Sequence, residues 1–325
     1  MMTFDAYVTT ALFDTAGRAH FALGDGTVRL EDGALHHAHP DGGVLAAAAH
    51  PSGEGIVTGG DDGRLVWTRA SGATELAAVP GKWIDSLAAS AASGLIAFGA
   101  GKDLHVRDAA DPAFARIFSH EKSVADVAFD AKGRRLAVAT YGGAALWYAR
   151  IAEQKPSLLK YAGSHVGVIW SPDGKFLVSA MQENQLHGWR IADAKDMRMG
   201  GYPAKVKSMA FFANGMLLAS SGAQGGVVWP FTGNSGPMNK QAAEIAYDET
   251  TLVTRVAATA AGFVMAGGTQ DGRVWVADVR SSKVARVAED KGPPITALAL
   301  SGDGRRLAWG NEDGGAGVAD VPPLT

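Results

Sequence analysis

The densest group of potential metal ligands in this chain is "HHAH", which carries His36, His37 and His39. Imidazole is a good ligand for zinc or nickel. On an extended strand His37 and His39 would share one face while His36 points away. No thiol or carboxylate stands beside them at ligand spacing, although Glu31 and Asp32 lie a few residues upstream. A solvated outer strand is the simpler reading, with a surface metal site on His37 and His39 as its alternative. The acidic pairs Asp61–Asp62 and Glu312–Asp313 are of a type that serves general acid and base chemistry, but both sit among glycines where Asp makes turns. "GAGKD" (Gly99–Asp103) has the wrong glycine spacing for a phosphate loop, and Lys102 is followed by Asp. "GNSG" (Gly233–Gly236) lacks the spacing of a nucleophile elbow. None of these supports a catalytic centre, and no cofactor is expected.

Composition narrows the classes further. The 325 residues hold 30 Lys+Arg against 33 Asp+Glu, a net charge of -3, and no basic run suited to phosphate backbones, so nucleic acid is not an expected partner. The absence of cysteine removes disulfides, thiolate nucleophiles and Cys-ligated zinc together. The start, "MMTFDAYVTTALFD", has no basic segment and carries Asp5, which argues against a secretory signal. No window approaches the ~18 apolar residues of a membrane span. A cytoplasmic protein without a membrane partner is expected. The 42 glycines and many alanines favour short strands and tight turns over long helices.

Those strands recur. A glycine follows an apolar run at Gly17, Gly53, Gly94, Gly133, Gly174, Gly215, Gly262 and Gly304, at intervals of 36, 41, 39, 41, 41, 47 and 42 residues. A short link between antiparallel strands demands positive φ, which glycine adopts without penalty. After each glycine come a second apolar run and a third with period-two alternation, such as "RLVWTR" and "RVWVAD". Fainter fourth strands fit Ala73–Val79, Ala115–Ser119, Ala242–Asp248 and Lys283–Glu289. A unit of about 40 residues cannot bury both faces alone, and radial stacking also hides sheet edges. The expectation is an all-β chain, one domain over 1–325, forming a β-propeller of about eight four-stranded blades, with seven as the alternative. The segment before the first strand looks short for completing the last blade.

The turns "SPDG" (Ser171–Gly174), "GDGTVRLED" (Gly24–Asp32) and "TQDGRVWVAD" (Thr269–Asp278) resemble those of the WD-repeat β-propellers, and the resemblance runs along nearly the whole chain. The Trp-Asp dipeptide and the opening Gly-His pair are missing. Asp32, Asp108, Asp278 and Asp320 hold the closing acid, and Trp147, Trp189 and Trp229 end third strands, with Trp67 and Trp275 one position out of phase. The family's buried His–Asp–Ser/Thr–Trp network is expected only in the second unit, from His39, Asp61 or Asp62, Thr58 and Trp67.

The resemblance implies a non-enzymatic platform that binds a protein or peptide partner on one rim, as a subunit of a larger complex or alone. Trp83, Lys102, Lys122, Tyr141, Gln182, Asn184, Lys207, Asn311 and Glu312 are the rim residues expected to anchor a partner, the aromatic pair first because rings give much contact area at low entropy cost. The long segment Pro230–Thr251 is a second candidate binding element, or slack. The competing reading is a small-ligand or metal site in the central channel or at the His36/His37/His39 strand. Catalysis would need converging ionisable residues, whereas the second strands end in Leu23, Gly59, Gly99, Thr140, Ala180, Ser220, Ala266 and Gly310.

Overall fold

A computed structural model describes residues 1–324. Every sheet is antiparallel, and the one helical turn among the described residues is the 3-10 segment Ala213–Gly215. No helix there is long and apolar enough to cross a membrane. The eight glycine-punctuated units follow one another around a closed ring, their innermost strands lining a central channel. These inner strands are Val8–Phe13, Val44–Ala49, Ser86–Ser90, Asp126–Phe129, the second half of Ser157–Trp170, Met209–Phe212, Val253–Ala258 and Ile295–Leu300.

The ring is a β-propeller, and both counts expected of it are present. Hydrogen bonding divides it into seven sheets, six of four strands and one of six. The six-stranded sheet holds units four and five. Arg135–Tyr148 pairs with Asp126–Phe129 through its first half and with Ser157–Trp170 through its second, and Ser157–Trp170 continues onto Phe176–Met181. Where other units break at a turn, these strands bend through Gly142, Gly143 and Gly163, all at positive φ. Gly142 and Gly143 make the turn between the second and third strands of unit four, and at Gly163 its outer strand runs on without a break into the inner strand of unit five.

Seven of the eight turn glycines adopt positive φ as expected, from 64° at Gly133 to 83° at Gly215. Gly262 does not. Its turn has the same width as most of the others but closes more loosely, with Thr259 N–H bonded to the Val264 carbonyl at 3.4 Å. The interfaces between units form the core. Leu95, Leu104, Val106 and Phe118 of unit three pack on Val127, Leu136 and Trp147 of unit four. Phe176, Leu186 and Met197 of unit five pack on Tyr202, Phe211 and Leu218 of unit six.

The N-terminal segment, short as it is, does complete the last sheet. Met2 and Thr3 pair with Ala316 and Gly315, and Phe4 N–H bonds the Gly314 carbonyl at 2.9 Å. Two backbone pairs suffice because other contacts hold the same seam. Thr296 Oγ1 donates to the Val8 carbonyl at 2.5 Å. The Arg306 guanidinium bonds the Gly17 carbonyl and pairs with Glu31 at 2.6 Å. Gly310 lets the first and last units touch: a Cβ there would lie 2.4 Å from Val8 Cβ.

Gly310→Ala is therefore expected to lower stability by about 1–3 kcal/mol through overpacking at the seam. Gly302→Ala, where a Cβ meets open space, should stay within about 0.5 kcal/mol of wild type. Urea unfolding of the two variants measures the difference; equal midpoints would show that the seam is not tight.

Candidate functional site

The polar networks between strands decide which ionisable residues are free for other work. In unit two, His39 is fully buried, its Nδ1 2.9 Å from Asp62 Oδ1 and its Nε2 2.8 Å from Thr58 Oγ1. Both ring nitrogens thus have protein partners, while His37 ends its strand exposed to solvent. The two do not form a ligand pair, and among the described residues no group of three His, Cys, Asp or Glu could hold a metal. Trp67 does not join this network. Its indole donates to the Glu54 carbonyl at 2.7 Å and stacks on His50, ring centroids 3.9 Å apart.

Other units build equivalents from different residues, which corrects the expectation of a single network. In unit six Trp229 Nε1 donates to Tyr202 Oη at 2.6 Å, and Tyr202 bonds Ser220 at 2.6 Å; burial pushes the phenol up to about 12. In unit four Trp147 Nε1 donates to His120 Nε2 at 3.0 Å. In unit five His165 bonds Ser179 at 2.7 Å while His187 stacks on Tyr161 at 3.5 Å. Burial holds His187 at about 4, so it is neutral near pH 7.

Several expected rim residues turn out to shape loops. Asn311 Oδ1 accepts the Asp313 and Gly315 N–H groups at 3.1 and 2.7 Å. Asn184 adopts φ 52° in its turn. Asp61 and Asp62 accept backbone N–H groups of Gly43 and Arg64. The Pro230–Thr251 segment is pinned at its start rather than slack: Phe231 packs on Phe176 and Phe211, and Lys240 Nζ bonds the Gly236 carbonyl at 2.7 Å. Lys102, Gln182 and Trp83 are exposed, the last at 64%.

Lys122 and Tyr141 are brought together. They line a groove of about 880 Å³ between the link from unit three and the outer half of unit four. Its walls are Trp147 and His120 on one side and Pro156, Leu158 and Lys160 on the other. Tyr141 is 65% exposed and Leu158 58%. The sheet register explains both. Ala145 pairs with Leu158 and Gly143 with Lys160, and small residues opposite large ones leave a trough. The bulge between Tyr141 and Gly143 turns the tyrosine outward. Leu158 and Lys160 carry no signal in isolation; only their pairing with Ala145 and Gly143 reveals them.

The second concavity is the channel, about 640 Å³, with a mouth cleft that adds Tyr7, Gln270 and Glu312. Asp126 and Arg255 each stand seven residues before their turn glycines, Gly133 and Gly262, where Thr10, Ala46 and Ala297 occupy the same place in other units. Asp126 Oδ2 accepts the Val168 N–H of the next inner strand at 2.8 Å. Burial pushes its carboxyl up to about 6, with Asp85 adding to the rise.

Residues 34–67, from the outer strand of the first unit to the third strand of the second, match the family model described as WD domain, G-beta repeat. No curated protein matches the sequence. The crystal structure of the computationally designed Ika8 protein superposes with a TM-score of 0.77 at 17% identity, covering 99% of this chain and 98% of that one. At that identity the likeness is one of fold.

Because the Asp126 carboxyl is raised from 3.8 to about 6, the native state keeps its proton where the unfolded chain has released it. The site therefore costs stability progressively as pH rises from about 4 to 6 and at full value above. Asp126→Asn keeps an acceptor for Val168. Its stability relative to wild type is expected to grow by about 2 kcal/mol between pH 4 and pH 7. Paired urea titrations across that range check this; a pH-independent difference would mean that the carboxyl titrates normally.

Proposed function

We propose that this chain, a β-propeller of the WD-repeat family, is a non-catalytic interaction platform whose groove at Tyr141 takes an extended segment of a partner protein. WD-repeat propellers commonly mediate protein interactions, and that general role is the starting point. The observation that carries the finer reading is the coincidence of two largely exposed apolar side chains, Tyr141 and Leu158, with a preformed trough of side-chain width. A tyrosine costs little entropy to immobilise and is a typical anchor of binding, and Leu158 extends the apolar area beside it. Trp147, fixed by His120 and stacked on Phe118 at 4.5 Å, gives the groove one rigid wall. Lys122 and Lys160 flank it against a single Glu121. The complementary segment carries an aliphatic or aromatic anchor next to Asp or Glu. Lys122 then contributes to the rate and specificity of encounter more than to affinity.

Selection from a displayed random-peptide library tests this. The expected consensus is an apolar anchor beside an acid. The Tyr141→Ser, Leu158→Ser double variant should weaken the selected peptides at least about tenfold, while Trp83→Ala leaves them unchanged. No enrichment, or equal binding to the double variant, would remove the groove from the proposal.

A further inference from the structure

The channel wall carries charge in opposite sectors. Asp85 and Asp126 belong to units three and four; Lys205 and Lys207 enter unit six, and Arg255 lies on the inner strand of unit seven. Arg255 is the informative member. At its position the other units place mostly Thr, Ala, Ser or Gly, and Asp126 in unit four, so Arg255 is the one cation at that level of the ring. Its Nη1 donates to the neighbouring Thr254 carbonyl at 3.0 Å. Burial is the sole influence resolved on it, lowering its basicity, with no carboxylate compensating. A largely enclosed cation without a counter-charge is costly, and natural proteins pair such groups or use them.

We propose that Arg255, with Lys205 and Lys207, binds a small oxyanion, a phosphate ester or a carboxylate, in the basic sector of the channel. The planar guanidinium offers a fork matched to two oxygens of such a group, and the two lysines supply point charges at the entrance. Lys205, Lys207 and Arg255 line both the channel and its mouth cleft, so the site opens directly to solvent. The Asp85–Asp126 pair opposes an anion in the other sector of the channel, while Glu312 shares the mouth cleft with the three cations. This site shares no lining residue with the Tyr141 groove, and either can fail without the other.

The test is calorimetric titration of the full chain with inorganic phosphate and, separately, with succinate, against sodium chloride of matched ionic strength. Saturable one-to-one binding of at least one probe is expected, and the tighter probe assigns the class. Arg255→Met should weaken it at least about tenfold, and Lys283→Met, on an exposed outer strand, should not change it. Because a channel variant can misfold, Lys207→Ala at the exposed mouth provides the second reading, with a loss of about threefold or more. Absence of saturable binding by both probes, or unchanged affinity in folded Arg255→Met or in Lys207→Ala, overturns the proposal.

Discussion

Closure of the ring is the constraint on which the rest depends. Each unit buries its faces only against its neighbours, so the first and last units are stable only if they find each other across nearly the whole chain. The join uses little backbone, just Met2 and Thr3 on Ala316 and Gly315. It is tightened by Thr296 reaching Val8 and by Arg306 reaching Gly17 and Glu31. The same device is used inside the ring. Thr254 donates to the Ile295 carbonyl at 2.6 Å, Ser208 accepts the Val256 N–H at 2.8 Å, and Asp126 accepts that of Val168. Side chains at the start of one inner strand thus bond the backbone of the next, forming a partial belt around the channel. Asp126 belongs to this belt, which gives its carboxyl a structural task despite its place in a channel wall.

The networks between strands follow a similar economy of substitution. A buried indole N–H needs an acceptor. Unit six satisfies it with Tyr202, itself bonded to Ser220, and unit four with His120. Unit two keeps a His–Asp–Thr arrangement and sends its tryptophan elsewhere, to Glu54 and the face of His50. Apolar packing alone does not hold the units; units two, four, five and six each write a different polar solution, while the indole N–H groups of Trp189 and Trp275 are buried without a partner. Degenerate repeats of this kind can look featureless to a motif while remaining well specified.

What could be read from the sequence was what local chemistry encodes. Turn glycines repeat because one backbone conformation repeats, and the second and third strands carry dense apolar residues. Outer strands such as Leu35–His37 and Lys195–Met199 are short and largely exposed, so periodicity hardly marks them. Units four and five share a sheet because Ser157–Trp170 runs unbroken from the outer strand of one to the inner strand of the next, a continuity that no local residue pattern marks. Lys122 and Tyr141 were visible as rim residues, but Leu158 and Lys160 acquire meaning only through a cross-strand register. Arg255 carries no local signal for the same reason: its significance is its level in the ring, which exists only once the units are superposed.

The two concavities differ in how their charge is held, and that difference separates their roles. At the groove, Lys122 and Lys160 are exposed and surround apolar anchors, so their charges are screened and act mainly on approach. In the channel, protein encloses Arg255 and Asp126, and screening is weaker, so charge there decides what can stay. A rigid ring makes both possible at once. The groove lies where two units diverge outward, the channel where all eight converge, and neither needs a moving element to form. Small side chains at the converging positions are required by ring geometry, and they leave one long cation conspicuous among them.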